Sequence, residues 1–278
     1  MNLTKHILST IFLLISLQGI CQEKIYLDEN MKEMDYISYA KKCDAHIYKC
    51  MEYKTDTFSI NKIMYKHTFG KITPTEYVQV KNILSKDSKE IINKNTIIVV
   101  KYSDSLYSYN STKQKFDNLV IEHRKAVYDT ASNTMKYHKI NYKNYNLNTY
   151  NKNCEKWFKE QNKCIKKFEK IENTNVIYSY LHKEKNTYNY ADFNFVKDRG
   201  ILKNTFFKIV QNFDLLILKP NGEYFLSGGH LDDKKIKKLL KDADWSNYIE
   251  DWKTTVTKYP KNGFGFFEMK LNHETHCF

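Results

Sequence analysis

Two kinds of hydrophobic spacing run through the second half of this chain. Ile97, Ile98, Val99 and Val100 form an unbroken branched run, the pattern of a strand buried on both faces. Phe116, Leu119, Val120, His123 and Val127 instead recur every three or four residues, which predicts a helix over 114–128. A longer helix over 152–171 places Cys154, Trp157, Phe158, Gln161, Cys164, Ile165 and Phe168 along one side. A strand at 176–181 follows, then a helix over 201–211 with Leu202, Phe206, Ile209 and Val210 as its inner stripe. Residues 214–219 and 223–227 read as two antiparallel strands joined by the turn Pro220, Asn221, Gly222. Gly228 and Gly229 end the second strand, and Asp232 or Asp233 starts a helix carrying Ile236, Leu239 and Leu240. A last helix from Asp244 bears Trp245, Tyr248, Ile249, Trp252 and Val256 and stops before Pro260.

The first half is less regular. Short strands are expected at 24–27, 46–54 and 58–67. Thr73, Pro74 and Glu76 announce a helix, with a hydroxyl cap, a proline at the first helical position and a carboxylate three residues after the cap. That helix carries Tyr77, Val80, Ile83 and Leu84. Residues 130–150 are rich in Asn, Tyr and Lys without an apolar period and read as a long loop or insertion.

Residues 7–17 are an apolar run interrupted by Ser9, Thr10 and Ser16, preceded by Lys5 and His6. A run of that length falls short of the roughly 20 residues that cross a bilayer, so it reads as an export signal. Gly19 and Cys21 occupy the small-residue positions for cleavage before Gln22. Acylation at Cys21 is disfavoured because Gln18 and Ile20 stand where a lipobox places Leu and a small residue. The mature chain is therefore expected in the periplasm, the cell envelope or the medium, with no transmembrane span.

The element order strand, helix, strand, helix, hairpin, helix over 96–241 resembles the thioredoxin-like fold. The expected class is α/β (α+β), a central mixed sheet flanked by helices. Residues 1–21 would be the signal, 22–94 an N-terminal extension, 95–242 the core with an insertion around 130–172, and 243–278 a C-terminal helix and tail. The resemblance implies a site for reactive cysteines just after the first core strand and a cis-proline before the hairpin. Here those places hold Tyr102, Ser103, Asp104, Ser105 and Leu106, and Asn212 and Phe213, so the usual dithiol site is missing.

Cysteine chemistry is then confined to Cys43, Cys50, Cys154, Cys164 and Cys277, an odd number that predicts one or two bridges and a spare thiol outside the cytoplasm. Cys154 and Cys164 are about 15 Å apart along one helix and cannot bridge each other. The expected long-range partners join Cys43 or Cys50 to Cys154, Cys164 or Cys277. Metal ligation would draw on His273, His276 and Cys277 with His230 as a fourth ligand, but this spacing departs from paired structural zinc ligands. Gly228, Gly229 and His230 read as a turn, since Asp232 and Asp233 would repel an anion there.

The formal charge is +13, one unit less without Lys5, and would suggest an anionic partner. Only Arg124 and Arg199 are arginines among 45 basic residues, and the lysines are spread along the chain. Arginine is the residue that grips phosphate with a planar fork, so nucleic acid is not the expected partner. A solvated lysine surface would let go of heparin by about 0.2 M salt. The sequence thus favours an exported, non-catalytic protein without cofactor that binds a protein or a polyanion. A thiol or metal protein is the alternative.

Overall fold

The computed structural model describes residues 23–55, 57–88, 92–118, 145–189, 193, 195–208, 212–269 and 277–278. Contacts group the chain into two compact units: 1–66 with 250–270, and 67–249 with 271–278. The strand beginning at His67 pairs within the second unit. Residues 1–21, read above as an export signal, lie outside the described residues.

The first unit holds a three-stranded mixed sheet in the order β1 (Glu23–Leu27), β3 (Phe58–Tyr65), β2 (Tyr48–Lys54), with β1 parallel and β2 antiparallel to β3. Helix α1 (Tyr36–Cys43) starts where the Asp35 carboxylate accepts from the Ser38 N–H and ends with Lys41 and Lys42 on its last turn. Cys43 and Cys50 form a disulfide that closes the turn from α1 into β2. Ile47, Ile63 and Met64 are fully buried in this unit. Gly265 is required there: its φ is +55°, and the Asp251 carboxylate occupies the space a Cβ would take while accepting from the Phe266 N–H.

The second unit is built on a six-stranded mixed sheet. Its order is β4 (His67–Lys71), β9 (Glu223–Ser227), β8 (Leu215–Leu218), β5 (Ile97–Leu106), β6 (Thr174–Lys183), β7 (Phe195–Lys197). Strands β5, β6 and β7 run parallel, whereas β8, β9 and β4 pair antiparallel in turn. The expected strand over 58–67 is two strands, since Tyr65 pairs with Tyr48 in one sheet and His67 with Ser227 in the other. Ile98, Val99 and Val100 are completely buried, as their unbroken branched run predicts. The β8–β9 turn closes with the Gly222 N–H donating to the Lys219 carbonyl. Gly222 has φ +86° and lies so close to the Ile72 carbonyl that a Cβ would collide with it.

Helix α2 (Pro74–Asp87) has the full capping box: Thr73 accepts from the Glu76 N–H, and Glu76 accepts from the Thr73 N–H. Residues 109–118 are helical; the remainder of the helix expected over 114–128 lies outside the described residues. Helix α3 (Leu147–Glu169) begins at the Asn146 cap, five residues earlier than the apolar stripe alone predicts. A short α4 (Ile201–Thr205) precedes the hairpin, α5 (Asp233–Lys241) follows it with Asp232 as cap, and α6 (Ser246–Lys258) comes last. Trp157, Phe158, Tyr178, Phe193 and Phe195 form an aromatic cluster that joins α3 to β6 and β7. Among the described residues no helix is long and apolar enough to cross a membrane.

Candidate anion-binding groove

Helix α5 reads Asp-Lys-Lys-Ile-Lys-Lys-Leu-Leu-Lys, and its three apolar residues are all buried. Every other position after Asp233 is therefore a lysine turned away from the core. The last turns of α3 repeat the theme, because Phe168 is wholly buried while Lys163, Lys166 and Lys170 are exposed around it. Between the two helices lies an open groove of about 920 Å³ lined by Lys163, Lys166, Lys167, Lys170, Lys237 and Lys241. Its floor and rim add Ile171, Leu240, Glu172 and Asn173. Among the described residues six lysines thus face one glutamate.

Most of that charge is uncompensated. Lys167 is ion-paired with Asp233, whose side chain is 3% exposed. Among the described residues Lys163, Lys166, Lys170, Lys237 and Lys241 meet no carboxylate at ion-pair distance. Two ammonium groups about 6 Å apart repel by under about 1 kcal/mol in water, so the fold tolerates the cluster. Lys166 and Lys167 on the last turn of α3, and Lys238 and Lys241 on that of α5, also face the negative ends of their helix dipoles. Helix ends explain why such a cluster is stable; they do not explain why two helices direct lysines into one groove.

The lysine rows are held in place by a knot at the chain end. Cys164 is disulfide-bonded to Cys277, and the Cys277 N–H donates 2.9 Å to the second oxygen of Asp233. Phe278 stacks on Phe168 with ring centroids 5.3 Å apart. Asp233 at the first turn of α5 is thus tied to both Lys167 of α3 and the chain end. No protein-family model, curated protein or solved structure matches the chain.

The other sequence candidates fall elsewhere. Cys43 and Cys50 are bonded to each other and not to Cys154, Cys164 or Cys277, because α1 turns directly back into β2 and brings their Cα atoms to 5.7 Å. With Cys277 bonded to Cys164, its sulfur is no longer a thiolate ligand, and His273 and His276 lie outside the described residues. Among the described residues no three His, Cys, Asp or Glu side chains gather as a metal set, His230 included. Cys154 stands outside both bridges, beside Tyr107, Tyr145, Tyr150 and Trp157 in a smaller pocket of about 290 Å³. The His67 ring nitrogen lies 3.0 Å from the Ser227 hydroxyl, but both side chains are buried, so this pair knits β4 to β9 with no route for a substrate.

The basic pattern of α5 is legible in the sequence as five lysines in nine residues. What the sequence hides is the partner wall. Lys163, Lys166 and Lys170 sit some seventy residues away, and only the folded sheet sets α3 beside α5.

Proposed function

We propose that this protein is an exported, non-catalytic binding protein whose second unit is a thioredoxin-like core and whose α3–α5 groove holds an anionic partner. The observation that carries the reading is five lysine side chains, without carboxylate partners among the described residues, lining one groove. Net positive charge spread over a surface speaks to solubility; charge gathered in a concave site raises the local concentration of anions. The strand order β9-β8-β5-β6, with β5 and β6 parallel and the hairpin antiparallel, supports the thioredoxin-like assignment. Tyr102 to Leu106, at the end of β5, contain no cysteine. Export is supported by the apolar run at 7–17 and by two disulfides, which persist in oxidising compartments.

Retention on an anionic matrix tests the reading. The purified chain should bind heparin with an affinity that falls steeply as salt rises, because ammonium–anion contacts release counterions. Lys166→Glu with Lys237→Glu should shift elution to markedly lower salt while leaving the circular dichroism unchanged. Equal elution of the double variant and the parent would return the lysines to an ordinary solvated surface.

A further inference from the structure

The groove also carries information about which anion it takes. This inference rests on the anion-binding reading and narrows it to a chemical class. Lys163 and Lys166 on α3 with Lys170 at its C-cap span about 10 Å of helix axis, and Lys237 and Lys241 on α5 stand about 6 Å apart along theirs. A volume of about 920 Å³ with ammonium groups spread along both walls is too extended for one small anion. It suits a linear chain that carries charge at intervals.

The lining then discriminates among polyanions. A single-stranded nucleic acid is held by stacking bases on aromatic rings and by arginine, yet among the described residues this groove has neither an aromatic nor an arginine side chain. An interfacial helix inserts an apolar face into the bilayer, but Ile236, Leu239 and Leu240 of α5 are all buried, which leaves a membrane only the charge to hold. A concave groove also fits a strand better than a flat bilayer. Two lining side chains remain after the lysines and the apolar floor: Glu172, which can only accept, and Asn173, which both accepts and donates. Both are exposed. A carboxylate in a lysine groove repels a purely anionic chain but accepts hydrogen bonds from hydroxyl groups. A ligand rich in both anionic groups and hydroxyls satisfies the whole lining.

We propose that the α3–α5 groove binds an acidic polysaccharide, its sulfate or carboxylate groups on Lys163, Lys166, Lys170, Lys237 and Lys241 and its hydroxyls on Glu172 and Asn173. Lys167 acts as a positioning residue, since its ion pair with Asp233 couples the two walls.

Binding of the full chain to five probes tests the assignment: heparin oligosaccharides of increasing length, polygalacturonate, oligothymidylate, inorganic polyphosphate, and vesicles containing phosphatidylglycerol. The expected result is affinity for both acidic glycans that rises with chain length and is lowered about tenfold or more by Lys166→Glu with Lys237→Glu. Glu172→Ala should weaken glycan binding while leaving or improving binding to inorganic polyphosphate, which has no internal hydroxyls. Lys49→Glu in the first unit serves as the control and should change nothing. Oligothymidylate, polyphosphate or vesicles binding as tightly as the glycans would overturn the polysaccharide assignment and leave the anion reading standing. Failure of every anion to bind would sink both. Glycan binding indifferent to the double variant would overturn the groove as its location.

Discussion

Tyr48, Tyr65, Tyr102 and Tyr178 all have their phenols pushed above the ordinary value near 10, chiefly by burial. The carboxylate of Glu29 adds to the effect at Tyr48 and Tyr65, and that of Asp198 at Tyr102. Tyr102 donates to Asp198 at 3.1 Å and stacks on Phe207 with centroids 4.3 Å apart, so its neutral form is tied into the core. A raised pKa in the folded state means that the fold holds these protons more tightly than the unfolded chain does. Their stabilising contribution is therefore complete below about pH 10 and is lost as pH rises through the elevated values. On alkaline titration these four phenols should ionise only as the near-ultraviolet circular dichroism collapses. Tyrosinate absorbance that reaches its full amplitude near pH 10 with the dichroism intact would contradict this.

At the level of elements, the two disulfides constrain the chain very unequally. Cys43 and Cys50 are 7 residues apart and fasten α1 to β2, whereas Cys164 and Cys277 are 113 apart and fasten the chain end to α3. Loop-closure entropy grows with the logarithm of loop length, giving about 2 kcal/mol for the short loop and about 5 kcal/mol for the long one. Replacing Cys164 and Cys277 by Ala should therefore weaken the second unit by more than replacing Cys43 and Cys50 weakens the first. Amide hydrogen exchange, read separately in β5–β6 and in β2–β3, would measure both. The long bridge also supports the groove, because Cys277 holds Asp233 and Asp233 holds Lys167. Loss of that bridge should consequently lower heparin affinity, and loss of the short bridge should not. The reverse ranking, in stability or in affinity, would show that the chain-end knot does not organise α3 and α5.

For the whole molecule, the cysteine inventory decides what redox chemistry is open to it. Disulfide reduction requires an attacking thiolate of low pKa and a second thiol placed to resolve the mixed disulfide. Among the described cysteines, four are consumed in two bridges and Cys154 alone lies outside them. The protein recovered after export should have the mass of a chain starting at Gln22, titrate one thiol when denatured without reductant and five with it, and fail to reduce insulin. An intact Met1, or an acyl adduct on Cys21, would refute the cleavage. Insulin turnover that vanishes in Cys154→Ser would establish a thiol enzyme in place of a binding protein.

Short-range physics made much of the architecture readable from residue order alone. The Thr73, Pro74, Glu76 cap and the Pro220 to Gly222 turn depend on contacts within a few residues, so their signals survive without a fold, and the unbroken branched run Ile97 to Val100 announces a doubly buried strand by composition alone although its partners β6 and β8 are distant. The mixed α/β class followed from the same local patterns. Helix α1 left no comparable stripe, because none of its residues is buried. The three-residue β7 is too short to show a period and exists through its pairing with β6. Disulfide connectivity was likewise closed to the sequence, since spacing says nothing about which sulfurs meet. The groove illustrates the limit most clearly. Lysines spread along a chain look like solvated charge, and a helix reveals which face is polar but never what stands opposite it. Only the sheet and the chain-end knot, long-range features in which partners are scores of residues apart, turned two ordinary basic faces into the walls of one groove.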